Sequence, residues 1–245
     1  MSFGLLKTGL VDFPGRVAAT IFFSGCNLRC PWCHNRELVS ASPPSGAVTI
    51  GELEEFLVKR RGVLGGVCLT GGEPLLSSRI YDIVELLHEV GLDWKLDSNG
   101  TLPLQLEKLL ERFHHHLPAL IAFDYKVPLQ EYRARLSPRT KITGEELFDS
   151  IQVASRFAIP YELRSTFSES IFSLQELKGM AALLADRIEG KDVKKAKKES
   201  WSKPLRWSIQ PFRPGTCLDP QWNSTSPPGE SAIKEAREII TALLW

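Results

Sequence analysis

Cys26, Cys30 and Cys33 fall within eight residues, in the stretch Ser24-Gly25-Cys26-Asn27-Leu28-Arg29-Cys30-Pro31-Trp32-Cys33-His34-Asn35, with the spacing C-x3-C-x2-C. Thiolates so close along one loop can wrap a compact inorganic centre, and clustered cysteine thiolates are the usual ligands of iron–sulfur clusters. A closed [4Fe-4S] centre takes four ligands, yet the remaining cysteines, Cys68 and Cys217, stand far away in sequence. Three thiolates therefore leave one iron open to a small molecule. A disulfide fits poorly, because three cysteines in one tight loop cannot pair evenly and no secretory signal is evident. Structural zinc normally takes four protein ligands and shorter C-x2-C pairs, and His34, directly after Cys33, is cramped as the fourth. Zinc and unliganded core thiols stay open behind the iron–sulfur reading.

Other residues suited to ligand chemistry come in short polar motifs: Thr70-Gly71-Gly72-Glu73-Pro74, Asp97-Ser98-Asn99-Gly100, Asp124-Tyr125-Lys126, Arg164-Ser165-Thr166 and Gln210-Pro211-Phe212-Arg213. Gly71-Gly72 permits close backbone approach to a ligand, with carbonyls able to accept from an ammonium group; alone it is an ordinary glycine turn. Asp97 and Asp124 can hold a cation, hydroxyls or an amine, or serve as loop acids and helix caps. Lys126 and Arg164 can take a ligand carboxylate or pair with neighbouring acids.

The elements that must position these motifs alternate. Val17–Phe23 is a short apolar run, read as a strand buried on both faces, and the cysteine loop hangs from its C-terminal end. Lys7–Arg16 before it is a lead-in hairpin or loop punctuated by Pro14-Gly15. After the linker Ala41–Gly46, Thr49-x-x-Glu52 is a capping box opening a helix to about Arg61. Strands follow at Gly66–Thr70, Leu92–Asp97, Ala119–Phe123, Pro160–Ser165 and Leu205–Gln210. Between them fall helices over Ile80–Val90 (stopped by Gly91), Pro103–Phe113, from the box Thr143-x-x-Glu146 to Phe157, and from the box Ser173-x-x-Glu176. Lys191–Lys198 carries five lysines, and 191–200 reads as a basic surface excursion. The proline-rich loop 211–230 leads to an amphipathic helix over 231–244. Six strand–helix alternations predict an α/β fold, an open partial (β/α)6 TIM-type barrel of parallel strands, in one domain over 1–245 with 1–16 as lead-in. Active-site groups of parallel barrels sit at the C-terminal strand ends, which is where all six motifs fall.

With an aromatic residue (Trp32) before the third cysteine, the C-x3-C-x2-C loop resembles the signature of the radical S-adenosylmethionine (SAM) superfamily. The resemblance implies a [4Fe-4S] cluster on Cys26, Cys30 and Cys33 with SAM chelated at the open iron. Implied SAM-binding residues are Trp32, His34, Gly72, Glu73, Asp97, Ser98, Asn99, Asp124, Lys126, Arg164 and Arg213, the G-G-E stretch holding the methionyl amine. From Lys7 to about Pro220 the chain is similar to glycyl-radical-enzyme activases, most closely to the activating proteins of anaerobic ribonucleoside-triphosphate reductases. The residues that carry this are Lys7–Arg16, Ser24-Gly25-Cys26, His34-Asn35, Asp97–Gly100, Asp124–Lys126 and Phe212-Arg213-Pro214. Tyr125 and Ser98 stand where that family usually has an aliphatic residue and threonine. The implied activity is removal of hydrogen from a glycine of a partner glycyl radical enzyme, with a flavodoxin or ferredoxin-type electron donor.

Two other functions compete: a radical SAM enzyme acting on a small heterocycle, and a non-catalytic metal-binding regulator that leaves the strand-end motifs without a role. The 245 residues are 43% hydrophobic and 24% charged, enough for a sizeable core. A net charge of +1 indicates neither nucleic acid nor an anionic membrane as partner. No apolar run approaches the ~20 residues of a membrane span, and a cytoplasmic protein with reduced thiols, working at low oxygen, is the expectation. His114-His115-His116 reads as a helix-end solvent cluster, because consecutive helical residues point about 100° apart. Cys68 reads as a packed strand thiol and Cys217 as an ordinary loop cysteine.

Overall fold

The computed structural model describes residues 3–137, 140–188 and 206–244. Seven strands form one sheet in consecutive order: β1 (Gly4–Gly9), β2 (Ala18–Phe23), β3 (Gly66–Gly71), β4 (Trp94–Ser98), β5 (Leu120–Asp124), β6 (Tyr161–Phe167) and β7 (Trp207–Pro211). β2 through β7 are parallel, and their connections carry helices α1 (Arg36–Val39), α2 (Ile50–Arg60), α3 (Ile80–Val90), α4 (Pro103–Arg112), α5 (Glu145–Arg156) and α6 (Leu174–Ile188). A final helix, α7 (Glu230–Leu244), follows β7. The six-unit open barrel expected from the alternation is the architecture. Among the described residues no helix is long and apolar enough to cross a membrane.

The lead-in proves to be a hairpin whose first arm adds a seventh strand: β1 runs antiparallel to β2, pairing Gly4 with Phe22 and Gly9 with Ala18. Phe3 anchors it, buried edge-on against Phe23 at 5.3 Å between ring centroids. Local sequence is weak here because Gly-Leu-Leu-Lys-Thr-Gly lacks alternation, and the strand exists through its ladder with β2.

Capping follows the sequence closely. Thr49 and Glu52 close a reciprocal box at α2, and Ser173 and Glu176 make the same contacts before α6. At α5 the start shifts by one: Gly144, at φ 94°, is the cap residue, and Glu146 accepts from the backbone N–H of both Thr143 and Gly144. A side chain at 144 would meet the Tyr132 ring at 2.8 Å, so only glycine brings the helix start this close. Leu205, the expected first residue of the last strand, and the basic stretch 191–200 lie outside the described residues.

The strands are not apolar on both faces. Residues paired in register share a face, which puts Thr20, Cys68 and Lys95 in one row and Thr70, Asp97, Ala122 and Glu162 alongside. Arg164 lies beside Asp124 and Ser208 on that same inner face. The opposite face, with Ile21, Leu69, Leu96, Ile121 and Leu163, joins the helices in the main hydrophobic core. A closed parallel barrel fills its centre with branched apolar side chains. This open one carries charges there, and that difference creates the site.

Candidate active site

The cysteine loop leaves β2 through Gly25 (φ 95°) and is held by backbone bonds: Gly25 N–H donates to Leu38 (2.8 Å) and Cys26 N–H to Val39 (3.2 Å). The end of β3 supports it from below, with Gly72 N–H donating to Phe23 and Glu73 N–H to Gly25, each at 2.8 Å. The approach is so close that a Cβ at Gly71 would sit 2.4 Å from the Phe23 carbonyl, and one at Gly72 would sit 2.1 Å from that of Gly25. The glycine pair is thus required by chain-to-chain packing, in addition to any ligand. β4 contributes a third brace: Asn99 donates to Asn27 (2.8 Å), Asn27 donates to Thr101 (2.7 Å), and Thr101 donates back to Asn99 (2.6 Å).

Above the strand ends lies a cavity of about 390 Å³. Its walls include Cys26, Cys30, Cys33, Trp32, Gly72, Asp97, Ser98, Asn99, Asp124, Lys126 and Arg164, residues from five separate elements. Three expected site residues stand apart. Glu73 is fully buried and accepts from Asn99 N–H (2.7 Å), Leu75 N–H (3.2 Å) and the Ser98 hydroxyl (3.0 Å), tying the end of β3 to that of β4. His34 is exposed and stacks on Phe212 at 5.9 Å, lining a neighbouring groove, and Arg213 is exposed on the loop after β7. Polar lining residues beyond those expected are Asp12, Asn35, Thr70, Thr166 and Gln210. Thr70, Thr166 and Gln210 belong to the strand-end motifs and were detectable there. Asp12 had no local signal: the hairpin carries it in, and its carboxylate accepts from Thr20 at 2.6 Å.

The charged wall is a connected network. Arg164 donates through Nη1 to Asp97 (2.7 Å) and through Nε to Asp124 Oδ1 (3.1 Å), with Nη2 in ion-pair contact with the same oxygen at 3.0 Å, and Lys126 donates to the second Asp124 oxygen at 3.0 Å. Burial pushes the Asp124 carboxyl up, but Lys126 and Arg164 outweigh it and hold the pKa at about 2. Burial likewise opposes the charge on Lys126 and Arg164, and the aspartates overcome it and push both pKa values up. Both cations are therefore paired, as their alternative reading had it, while each keeps hydrogens free of these two carboxylates. Burial raises the Cys26 thiol and takes Cys30 up to about 12. Such thiols are protonated at neutral pH until a metal displaces the proton.

The remaining cysteines and histidines lie elsewhere. Cys68 is buried on the inner face of β3, and Cys217 is buried in the loop after β7. His88 gathers with His115 and His116 at ring separations of 4.7 and 5.1 Å, yet among the described residues no three His, Cys, Asp or Glu side chains close on a single metal ion.

Residues 20–168, spanning the cysteine loop and the ends of β2 to β6, match the family model of the radical SAM superfamily. The chain belongs to the radical SAM superfamily. This radical SAM enzyme is 25% identical over 244 residues to a protein of Methanocaldococcus jannaschii that carries the provisional name glycyl-radical enzyme activating enzyme, covering 96% of this chain and 90% of the relative. It is 36% identical over 103 residues to 7-carboxy-7-deazaguanine synthase of Aquifex aeolicus (41% of this chain, 44% of the relative). It is also 36% identical over 97 residues to pyruvate formate-lyase-activating enzyme of Clostridium pasteurianum (38% and 40%). The chain thus spans less than half the length of these last two in the matched region. Among solved structures, methylornithine synthase superposes with a TM-score of 0.57 at 15% identity, over 91% of this chain and 62% of that one, a likeness of fold alone.

Proposed function

We propose that this radical SAM enzyme is a glycyl-radical-enzyme activase, with an anaerobic ribonucleoside-triphosphate reductase as its partner. The observation that carries the activase reading is the similarity along nearly the whole chain to a relative named for that activity. Cys26, Cys30 and Cys33 are the ligands of a [4Fe-4S] cluster in this reading. The structure suits them to it: all three thiols line one cavity, and Cys26 Sγ accepts from Leu28 N–H (3.4 Å) and approaches Asn99 Nδ2 (3.9 Å). A tetrahedral zinc would need its donors converging at ~2–2.3 Å from one point. When bound, the cluster and SAM supply the one-electron chemistry that removes a hydrogen atom from a substrate carbon and releases methionine and 5′-deoxyadenosine.

The residues of the chain bind and orient. Trp32 forms an apolar wall, and Asp97 with Asp124 presents carboxylates for hydroxyls or an amine. Lys126 and Arg164 offer their uncommitted hydrogens to the SAM carboxylate. Gly72, Ser98 and Asn99 give this wall its backbone and small polar edge. Glu73 acts from behind by fixing Ser98 and Asn99, and His34 and Arg213, which do not line the cavity, are exposed and open to a partner. The cavity, about 390 Å³ in volume, lies above the strand ends. A glycine in an extended segment reaches such a site from outside, because it has no side chain to obstruct approach.

One observation favours a second reading, action on a deazapurine-type heterocycle: the 36% identity over 103 residues to a 7-carboxy-7-deazaguanine synthase. A single experiment separates the two. The anaerobically reconstituted, reduced and SAM-loaded protein is incubated with the reductase, then examined by electron paramagnetic resonance. A doublet organic radical is expected, and it disappears when the reductase's C-terminal glycine is changed to alanine. No radical, together with 5′-deoxyadenosine release that depends on a heterocycle, would reverse the choice.

A further inference from the structure

Beneath the cavity, on the inner face of the barrel, lies a lysine that the site does not expose. Lys95 on β4 has 1% of its side chain accessible, and it does not line the cavity. A lysine is almost never this buried unless it is paired, and Lys95 is paired twice. Its ammonium contacts Asp97 Oδ1 and stands 3.7 Å from Glu162 Oε1. Glu162 is itself buried and is held from the far side by Arg206, whose Nε donates to it at 2.5 Å. The result is an alternating chain of charges, Arg206, Glu162, Lys95, Asp97, Arg164, Asp124 and Lys126, of which the last four reach the cavity.

The geometry points to Lys95 as a positioning residue that sets the affinity of the cavity for SAM, an inference that rests on the function proposed above. Lys95 occupies one oxygen of Asp97 and Arg164 the other, so Asp97 takes only one arm of the guanidinium. That leaves Nε and Nη2 of Arg164 for Asp124, which in turn orients Lys126. A carboxylate with both oxygens free favours the bidentate, fork-to-fork pairing with arginine. Without Lys95, Asp97 has that freedom and draws Arg164 down from Asp124, away from the cavity. Glu162 keeps Lys95 turned towards Asp97, and Arg206 keeps Glu162 in place.

A structural role alone predicts a different pattern, because deleting one buried charge also strands its partners. The test therefore uses Lys95→Met and the double variant Lys95→Met/Glu162→Gln, which removes the opposite charge as well while keeping an acceptor for Arg206. Both are reconstituted anaerobically beside the wild-type protein. Iron content, melting temperature and the SAM dissociation constant are measured, the last by anaerobic titration calorimetry. Expected are wild-type iron content in both, a lowered melting temperature in the single variant that recovers in the double, and a SAM dissociation constant raised about tenfold in both. Wild-type affinity in either variant, or affinity that recovers together with melting temperature, overturns the positioning role. If the reconstituted wild-type protein fails to bind SAM, the proposed function falls first, an outcome the comparison between variants does not resemble.

Discussion

Glu73 shows how far a single side chain can depart from the role its motif implies. Its place after Gly71-Gly72 marks it as a ligand contact, yet its carboxylate is sealed away from solvent and spends its acceptors on Leu75, Ser98 and Asn99. Burial raises its pKa to about 7 against the pull of those hydrogen bonds. The sign of the linkage follows. Between pH 4.5 and about 7 the folded protein keeps a proton that the unfolded chain has released, so this group's contribution to stability falls as pH rises and is fully lost above about 7. Asp124 behaves oppositely: its depressed pKa of about 2 gives stability that is present above about pH 4 and lost as pH falls through 2. Denaturant unfolding measured from pH 5.5 to 8 should show the Glu73 loss, on the order of 2 kcal/mol across that window. The slope should flatten in Glu73→Gln, whose side chain does not titrate. An unchanged slope would assign the pH dependence to other groups.

At the scale of elements, the site depends on how the ends of β2, β3 and β4 meet. The cysteine loop has little regular structure of its own and takes its shape from the backbones of Phe23, Leu38 and Val39, and from the Asn27–Asn99–Thr101 brace. Gly72 is the tightest point of that contact, facing backbone atoms that cannot swing aside. Gly72→Ala should therefore displace the cysteine loop. We expect a loss of about 1–3 kcal/mol in stability and iron content after reconstitution well below wild type, read by unfolding and by iron assay. Gly62→Ala, where no atom lies within 4 Å of the added methyl, is the control and should leave both unchanged. Weakened SAM binding with full iron content in Gly72→Ala would mean that the glycine serves the ligand alone.

Across the whole molecule, the fold joins residues nearly two hundred positions apart. The loop after β7 returns over the cysteine loop, with Leu218 N–H donating to Cys33 and Asp219 N–H to Pro31, both at 2.9 Å. Trp222 packs on Trp32 at 5.2 Å and on Phe212 at 5.7 Å, so the wall of the cavity is backed by the loop between β7 and α7. A double-mutant cycle on Trp32→Ala and Trp222→Ala should give a coupling of about 0.5–1.5 kcal/mol, measured by urea unfolding. Trp222→Ala alone should also hasten bleaching of the reconstituted cluster in air, followed by its visible absorbance. Additive stabilities and unchanged bleaching would leave this strap without a role at the site.

Features that depend on near neighbours are legible in the sequence. The spacing of Cys26, Cys30 and Cys33, the capping boxes at Thr49 and Ser173, the stop at Gly91 and the six strand–helix alternations are all local, and they were sufficient for the open barrel and for the superfamily. They also put the right motifs at the strand ends, since every parallel strand delivers its C-terminal residues to the same rim. Which of those residues face the cavity follows from contacts between distant segments. Lys95 and Asp97 share a face of one strand two residues apart, which the sequence shows, but only the registers of β4 with β5 and of β5 with β6 reveal that Glu162 stands beside them. β1 exists because β2 offers it a ladder, and Asp12 reaches the cavity because that hairpin folds back. Glu73 turned inward because Asn99 and Ser98, twenty-five and more residues away, supply the donors that a buried carboxylate requires. Such pairings are set by contacts between distant segments, whose energies no local spacing encodes.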